Sequence, residues 1–586
     1  MRWLLSFVGP RLWRTVILLL YVLNVGYFIA HIPAFESLDE INHVMVAHFI
    51  ASEGRLPTMA DAPPLPHWMI ARVQYNQPPL PYLVGALALH SSGFNAPFDA
   101  ADASWRLPPA EPEPLCRGEP YRVYLWTAAD RVYVAVHVLR MVNVGFGLLT
   151  LALLMRATRG LFRSEVAALF AGALFACSPP IAELHAWYNN DVPVMLCGAL
   201  ALWGFSLARQ SWWQAVGVLF VAAVLAALTK LTGFVLVLVV AVYFWWHWVQ
   251  GHFRRFVLFV TLMGSAGSAW LVFNYARCGL PLCRLHHGLP FSNAAELLTS
   301  LLTPDYIGSL AHFLQTSALP WISPAYPPSV VLIALGLLPI GVGLCAAVYA
   351  TQRGRDLWPL WLLLLAAIGL ALLRVYWSPD VTYMAFRYIA VAVPALLALV
   401  ALGWLCLVRC IGHWVLLLPP ALLLALTASV PLLYYQPVYD ALPMLQQEPA
   451  SITPFQAQTY ANGVQVVGYS VNTASLQLYW RSNQAQDTPL YAIVVLYDAN
   501  RRPLEQCGIT LGTALNPVTM WPPETLIQQH FWFNAPTTAA WFSVQIFDIV
   551  PQYYLYSYTN FSEPYPILLP DETTTTDLIY WPLQSR

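Results

Sequence analysis

The uninterrupted apolar runs decide most about what this chain can fold into. "TVILLLYVLNVGYFIAHI" after Arg14 and "VAVPALLALVALGWLCLV" after Ala390 approach the ~20 residues that a helix needs to cross bilayer hydrocarbon. Backbone in lipid must satisfy its own N–H and C=O groups, so such runs become membrane helices. Counting them predicts about eleven spans, near 13–32, 132–155, 164–183, 191–208, 212–229, 231–249, 255–275, 328–350, 356–377, 387–408 and 412–435. The first is read as a retained span and not a signal peptide, because it is too long and lacks a small-residue cleavage pattern.

Composition agrees with that class. Of 586 residues 58% are hydrophobic and only 10% charged, with 24 Trp and 30 Tyr for interfacial belts. A net charge of −1 and the absence of a basic tail point to no nucleic-acid partner. The arginines then orient the spans. Arg2, Arg11, Arg14, Arg156, Arg159, Arg163, Arg209, Arg254, Arg255, Arg353, Arg355 and Arg409 all fall on one side of an eleven-span topology. That side is expected to be cytoplasmic, with the N-terminus on it.

Three large segments then lie opposite: a first loop at 33–131, a fourth loop at 277–327, and the tail from about 436. "PPLPYLVGALALH" in the first loop is apolar but too short to span, so it is expected to lie in the interface or re-enter. "SNAAELLTSLL" and "YIGSLAHFL" read as short helices of the fourth loop. The tail is different in kind. "GVQVVGYSV", "SLQLYWRS", "LYAIVVLYD" and "WFSVQIFDIV" are β-branched and aromatic runs, with turn chemistry such as "DANRRP" between them. They predict an antiparallel β-sandwich of jelly-roll type over 453–586. A linker at 436–452 joins it to a membrane domain at 1–435.

Nine cysteines show no metal spacing. Cys177, Cys197, Cys345, Cys406 and Cys410 sit in or beside spans and read as small packing residues. Cys116, Cys278, Cys283 and Cys507 lie on the oxidising side, where a disulfide is open and its connectivity undetermined.

The polar residues at the span mouths collect on the non-cytoplasmic side. Asp39, Glu40 and His43 open the first loop, and a helix over "DEINHVMVAHFIA", with Ser37 as a cap, would put His43 one turn from Asp39. "QYNQPPLPY", "HAWYNND", "LTKLTG" and "YMAFRY" follow on the same side. Bland roles compete at each place: interfacial solvation for Asp39 and Glu40, a helix cap for Asp191, a snorkelling amine for Lys230. Arg387 runs against the positive-inside bias, which favours a functional role.

Taken in order, "DEINH" (39–43), "QPPLPY" (77–82), "NND" (189–191), "LTK" (228–230) and the "RY" of Arg387–Tyr388 resemble the membrane glycosyltransferases of the GT-C fold. That group includes the protein O-mannosyltransferases and the lipid A aminoarabinose transferases, and the likeness is closest to the bacterial branch. Asn76 stands where relatives often carry His, and Pro81 replaces the usual first Tyr. The resemblance implies a multi-pass protein of the plasma (inner) membrane with an extracytoplasmic tail. It further implies transfer of one sugar from a polyprenyl-phosphate donor to an acceptor hydroxyl on a glycan, lipid or protein, with inversion.

In that reading Asp39 is the catalytic base, with Glu40 assisting. Arg387, then Lys230, hold the donor phosphate. His43, Gln77, Tyr82, Asn190, Asp191 and Tyr388 are substrate-binding candidates. No cofactor is required; a divalent cation held by Asp39, Glu40, His43 and Asp191 is the less favoured expectation. The competing classes are a lipid-linked glycan transporter or flippase and an inactive glycan-binding scaffold.

Overall fold

Helices account for the chain up to residue 435 and antiparallel sheets for the tail. The computed structural model describes residues 2–32, 34, 40–57, 77–95, 131–208, 210–278, 330–351, 357–377, 379–435, 444–445, 449, 452–460, 462–471, 475–486, 490–512, 518, 521–533, 539–550, 560–561, 567–568, 574–575 and 581–582. Asp39, the short helices expected in the fourth loop and most of the expected linker lie outside these residues.

Helix α1 (Arg2–His31) is broken at Gly9, whose φ of 73° precedes Pro10, so its apolar span begins there. α2 (Glu40–Glu53) and α3 (Leu80–Ser91) belong to the first loop and pack on each other. α4 (Arg131–Phe162) is followed by α5 (Glu165–Ala176), whose first turn is capped by Ser164 accepting from the Ala167 N–H at 3.2 Å. The Ser178-Pro179-Pro180 sequence ends α5, because proline has no N–H with which to continue the ladder. α6 (Pro179–His185) therefore leaves at 64° to it.

α7 (Asp191–Leu207) and α8 (Trp212–Ala227) pack side by side, and the helical stretch α9 (Phe234–Cys278) follows. Within α9 the chain doubles back. The Phe244 and Phe259 rings lie 4.3 Å apart, where a straight helix would separate these residues by about 22 Å. α10 (Val330–Thr351) and α11 (Trp358–Trp377) lead to a long 3-10 helix, Pro379–Ala392, then α12 (Val393–Ile411) and α13 (Leu418–Val430). Among the described residues six helices are long and apolar enough to cross a membrane, or seven if α5 and α6 form one bent span. Five shorter apolar helices accompany them. The protein is multi-pass.

Small residues set the closest helix approaches, as expected where packing and not hydrophobicity drives association. A Cβ on Gly403 would fall 1.8 Å from the Gly343 carbonyl oxygen, drawing α12 against α10. One on Gly198 would fall 2.0 Å from the Val391 carbonyl oxygen, so α7 and the 3-10 helix touch backbone to backbone.

In the tail, β1 (Met444–Leu445), β2 (Thr453–Tyr460), β3 (Val464–Val471), β4 (Ser475–Ser482), β5 (Leu490–Tyr497), β6 (Pro503–Thr510), β7 (Leu526–Trp532), β8 (Trp541–Val550), β9 (Asn560–Phe561), β10 (Ile567–Leu568), β11 (Thr574–Thr575) and β12 (Trp581–Pro582) are paired antiparallel. One sheet has the order β1-β7-β4-β3-β2-β10-β11 and the other β12-β8-β5-β6, with β9 on β8. Val464, Val466, Leu478 and Trp480 of the first sheet join Val494, Leu496, Phe542 and Val544 of the second in one apolar cluster. The "DANRRP" turn closes on Asp498, whose Oδ1 accepts from the N–H groups of Asn500 and Arg502, both at 2.8 Å. β1 lies inside the stretch expected as linker and pairs with Leu526 and Ile527 of β7.

Candidate functional site

Two buried ionic groups stand where the sequence motifs meet. The first begins at the N-terminus of α2. Glu40 is fully buried and takes a two-pronged contact from Arg140 of α4, Nε to Oε1 at 2.8 Å and Nη2 to Oε2 at 2.7 Å. Arg140 also donates Nη1 to the Ile32 carbonyl at the end of the first span (2.8 Å), and the Tyr188 N–H donates to Glu40 Oε1 at 3.0 Å. One carboxylate thus ties together the first span, α2, α4 and the loop before α7. The planar guanidinium fork suits this better than an amine would.

The second group forms where α7 starts. Asp191 is buried, and its two oxygens are shared between two cations. Oδ1 accepts from Lys230 Nζ, and Oδ2 accepts from Arg387 Nε at 2.8 Å. The three side chains come from the helix start at 191, the break after α8, and the 3-10 helix. Lys230 sits in extended conformation (φ −157°) between α8 and a single 3-10 turn, Leu231–Gly233. That break needs Gly233, where a Cβ would lie 2.1 Å from the Ala226 carbonyl oxygen. The Arg387 guanidinium also rests on the Trp187 ring, 5.1 Å from its centroid.

Asparagines frame the two groups. Asn189 Oδ1 accepts from the N–H groups of Asp191 (2.8 Å) and Val192 (3.0 Å), so this side chain caps α7. Asp191 is therefore left to the cations, which answers the cap reading of the sequence. Asn190 Nδ2 reaches Gln77 Oε1 at 3.4 Å, while its buried Oδ1 accepts no hydrogen bond from the described residues. The "QPPLPY" segment is anchored by the Leu80 N–H on the Leu228 carbonyl (3.0 Å), and so on the "LTK" break. Pro81 fits the first turn of α3, where its missing N–H costs nothing. Its carbonyl accepts from the Tyr188 hydroxyl at 2.8 Å. Tyr82 is buried, stacks on His43 and meets its Nδ1 at 2.8 Å.

Of the residues singled out by sequence, Asp191, Lys230 and Arg387 converge on each other, Asn190 on Gln77, and His43 on Tyr82. Tyr388 is half-buried and packs against the helical core. Asp39 lies outside the described residues. Among the described residues no three His, Cys, Asp or Glu side chains gather as a metal would require. Glu40 and Asp191, offered above as cation ligands, have their oxygens on Arg140, Lys230 and Arg387 instead. Sequence reasoning missed Arg140 and Asn143, whose Nδ2 donates to the Trp187 carbonyl at 2.8 Å. The available signal was an arginine inside an apolar run, since an ionisable group within a span marks a built contact.

Residues 132–270 match the family profile of dolichyl-phosphate-mannose-protein mannosyltransferases. No curated protein matches the sequence. The S. cerevisiae protein O-mannosyltransferase Pmt1-Pmt2 complex, bound to the sugar donor, is similar at 16% identity over 46% of this chain and 33% of that one, with a TM-score of 0.32. This chain therefore spans about a third of that relative's length. ArnT from Cupriavidus metallidurans bound to undecaprenyl phosphate is similar at 16% identity over 68% of this chain and 78% of that one, with a TM-score of 0.32. Its apo state gives 17% identity and 0.31. The family match bears out the resemblance carried by the motifs, that of a GT-C-like membrane glycosyltransferase.

Proposed function

We propose that this protein transfers a single sugar from a polyprenyl-phosphate donor to an acceptor hydroxyl on the extracytoplasmic side of the plasma membrane. The observation that carries the reading is the meeting of Lys230 and Arg387 on buried Asp191, two elements each bringing one cation to the carboxylate of a third. A glycosyl phosphate gains negative charge on its phosphate as the anomeric C–O bond breaks. Cations already fixed in a poorly hydrated site stabilise that change without reorganisation. In this proposal Asp191 is the positioning residue that holds both cations.

Asp39, the neighbour of Glu40, takes the proton of the acceptor hydroxyl as its oxygen attacks the anomeric carbon, a contribution of about 10²–10⁴-fold. Direct displacement, with no separate protein nucleophile, inverts the anomeric configuration. Glu40, held by Arg140, fixes the start of α2 and thereby the segment bearing Asp39. Asn190 Oδ1 and Gln77 accept or donate to sugar hydroxyls, and His43, Tyr82 and Tyr388 shape the same region. The proposal includes eleven spans, in which the bent α5–α6 pair and the shorter apolar helices other than α3 also cross, a cytoplasmic N-terminus, and a tail whose two sheets pack as a sandwich.

The test offers purified protein a panel of polyprenyl-phosphate sugars and follows donor consumption with an acceptor glycan, lipid or peptide. One donor is expected to be consumed, and Asp39→Asn to bind it normally yet turn over about 10²–10⁴-fold more slowly. Normal single turnover in Asp39→Asn would remove the assigned base. Movement of the intact lipid-linked sugar across vesicles without transfer would favour the transporter class.

A further inference from the structure

Tyr188 stands three residues before Asp191 and touches both helices of the first loop. It is buried in one apolar cluster with Val44 of α2, Ala86 of α3 and Leu139 of α4. Its N–H donates to Glu40 Oε1 at 3.0 Å, at the start of α2. Its hydroxyl donates to the Pro81 carbonyl at 2.8 Å, in the first turn of α3. A buried tyrosine ordinarily finds some partner for its O–H. This partner has a helical bond of its own to make, because within α3 the carbonyl of residue 81 faces the N–H of residue 85. The tyrosine takes the carbonyl's second lone pair, and that approach needs Gly85. A Cβ there would fall 2.3 Å from the Tyr188 hydroxyl oxygen and 2.9 Å from its Cζ.

We infer that Tyr188 is a positioning residue that sets α2 and α3 against the Asp191 cluster, an assignment that rests on the reading of that cluster as the donor-phosphate site. Three residues of chain reach at most about 11 Å, so Tyr188 cannot move far from Asp191. On the far side of that short link Asn189 caps α7, and Asp191 holds Lys230 and Arg387. On the near side are Glu40 and His43 of α2, and Gln77 just ahead of α3. In this role Tyr188 touches neither substrate and acts through Glu40 and Pro81. Losing its hydroxyl contact frees α3 to shift relative to the cations. A displacement of about 1 Å, even one made away from the chemistry, can cost about 10²-fold in rate.

The experiment uses the full-length protein in detergent and the variant Tyr188→Phe, which keeps the ring and the N–H contact with Glu40. Affinity for polyprenyl phosphate is expected to stay within about twofold of wild type, while single-turnover transfer at saturating donor falls about 10- to 100-fold. Gly85→Ala should give the same split, because its methyl displaces the hydroxyl. Added to Tyr188→Phe it should cost much less than it does alone, since the oxygen it would strike is gone. Amide hydrogen exchange reads the contact without turnover: α3 should exchange about 2- to 10-fold faster in Tyr188→Phe, with α7 beyond Val192 unchanged. If wild type consumes no donor at all, the sugar-transfer reading fails, and exchange still decides whether Tyr188 anchors α3. An unchanged transfer rate, unchanged exchange in α3, a fall in donor affinity equal to the fall in rate, or losses that multiply fully in the double variant would overturn the role.

Discussion

The two ends of the helical part use the same residue types in opposite ways. At one end Arg14 and Arg159 both meet Glu165, at 2.5 and 3.1 Å, with their side chains 36% and 60% exposed. At the other, Arg140 and Glu40 are entirely enclosed, and Lys230 and Arg387 reach buried Asp191 with side chains only 10% exposed. Arg140 and Arg159 are on one helix, about 28 Å apart along α4 by its rise per residue. That is close to the ~30 Å hydrocarbon thickness of a bilayer. The exposed end behaves as a solvated rim, where ion pairs contribute little. The enclosed end costs desolvation at every charge, so it persists only because each one is matched in geometry.

Breaking the enclosed pair should give the largest loss of stability. Arg140→Met strips Glu40 of its guanidinium and is expected to destabilise the protein by about 3–5 kcal/mol, read as a fall in the detergent unfolding midpoint. Glu40→Leu combined with Arg140→Met should recover part of that loss, because no buried charge remains. A double variant as unstable as the single would shift the weight to the contacts with Ile32 and Tyr188. Gly198→Ala is the next step down. The new methyl must push the 3-10 helix bearing Arg387 away from α7, at about 1–3 kcal/mol, and donor affinity should fall with stability. Retained stability and affinity would show that this contact relaxes freely. At the exposed end, Arg14→Gln and Glu165→Gln should each change stability by less than about 1 kcal/mol in the same assay. A loss there as large as that from Arg140→Met would erase the contrast between the ends.

How much of this was legible depends on sequence distance. Runs such as "TVILLLYVL" announce helices because lipid leaves the backbone no alternative. The β tail was equally readable, because "SLQLYWRS" alternates and becomes β4 with Leu476, Leu478 and Trp480 buried. The polar motifs were visible as a set on one side, but not their pairing. Nothing local in "NND" says that its aspartate will meet Arg387, 196 residues onward. Arg140 was hidden by the apolar run that surrounds it, although its charge was the clue. The 3-10 helix was also unreadable, since "YMAFRYIAVA" suits an α-helix equally well. In the structure it packs against α7 and α11.

Donor-lipid affinity compared between the two ends tests the central claim most directly. Polyprenyl phosphate would be titrated against wild type, Arg387→Gln, Lys230→Gln and Arg14→Gln at matched folding. Losing one charge-assisted contact of about 1.5–3 kcal/mol should weaken binding roughly 10- to 150-fold in Arg387→Gln. Lys230→Gln should show a smaller loss, and Arg14→Gln should bind as wild type does. Equal affinity in all four proteins would contradict the assignment of the enclosed cluster as the phosphate site.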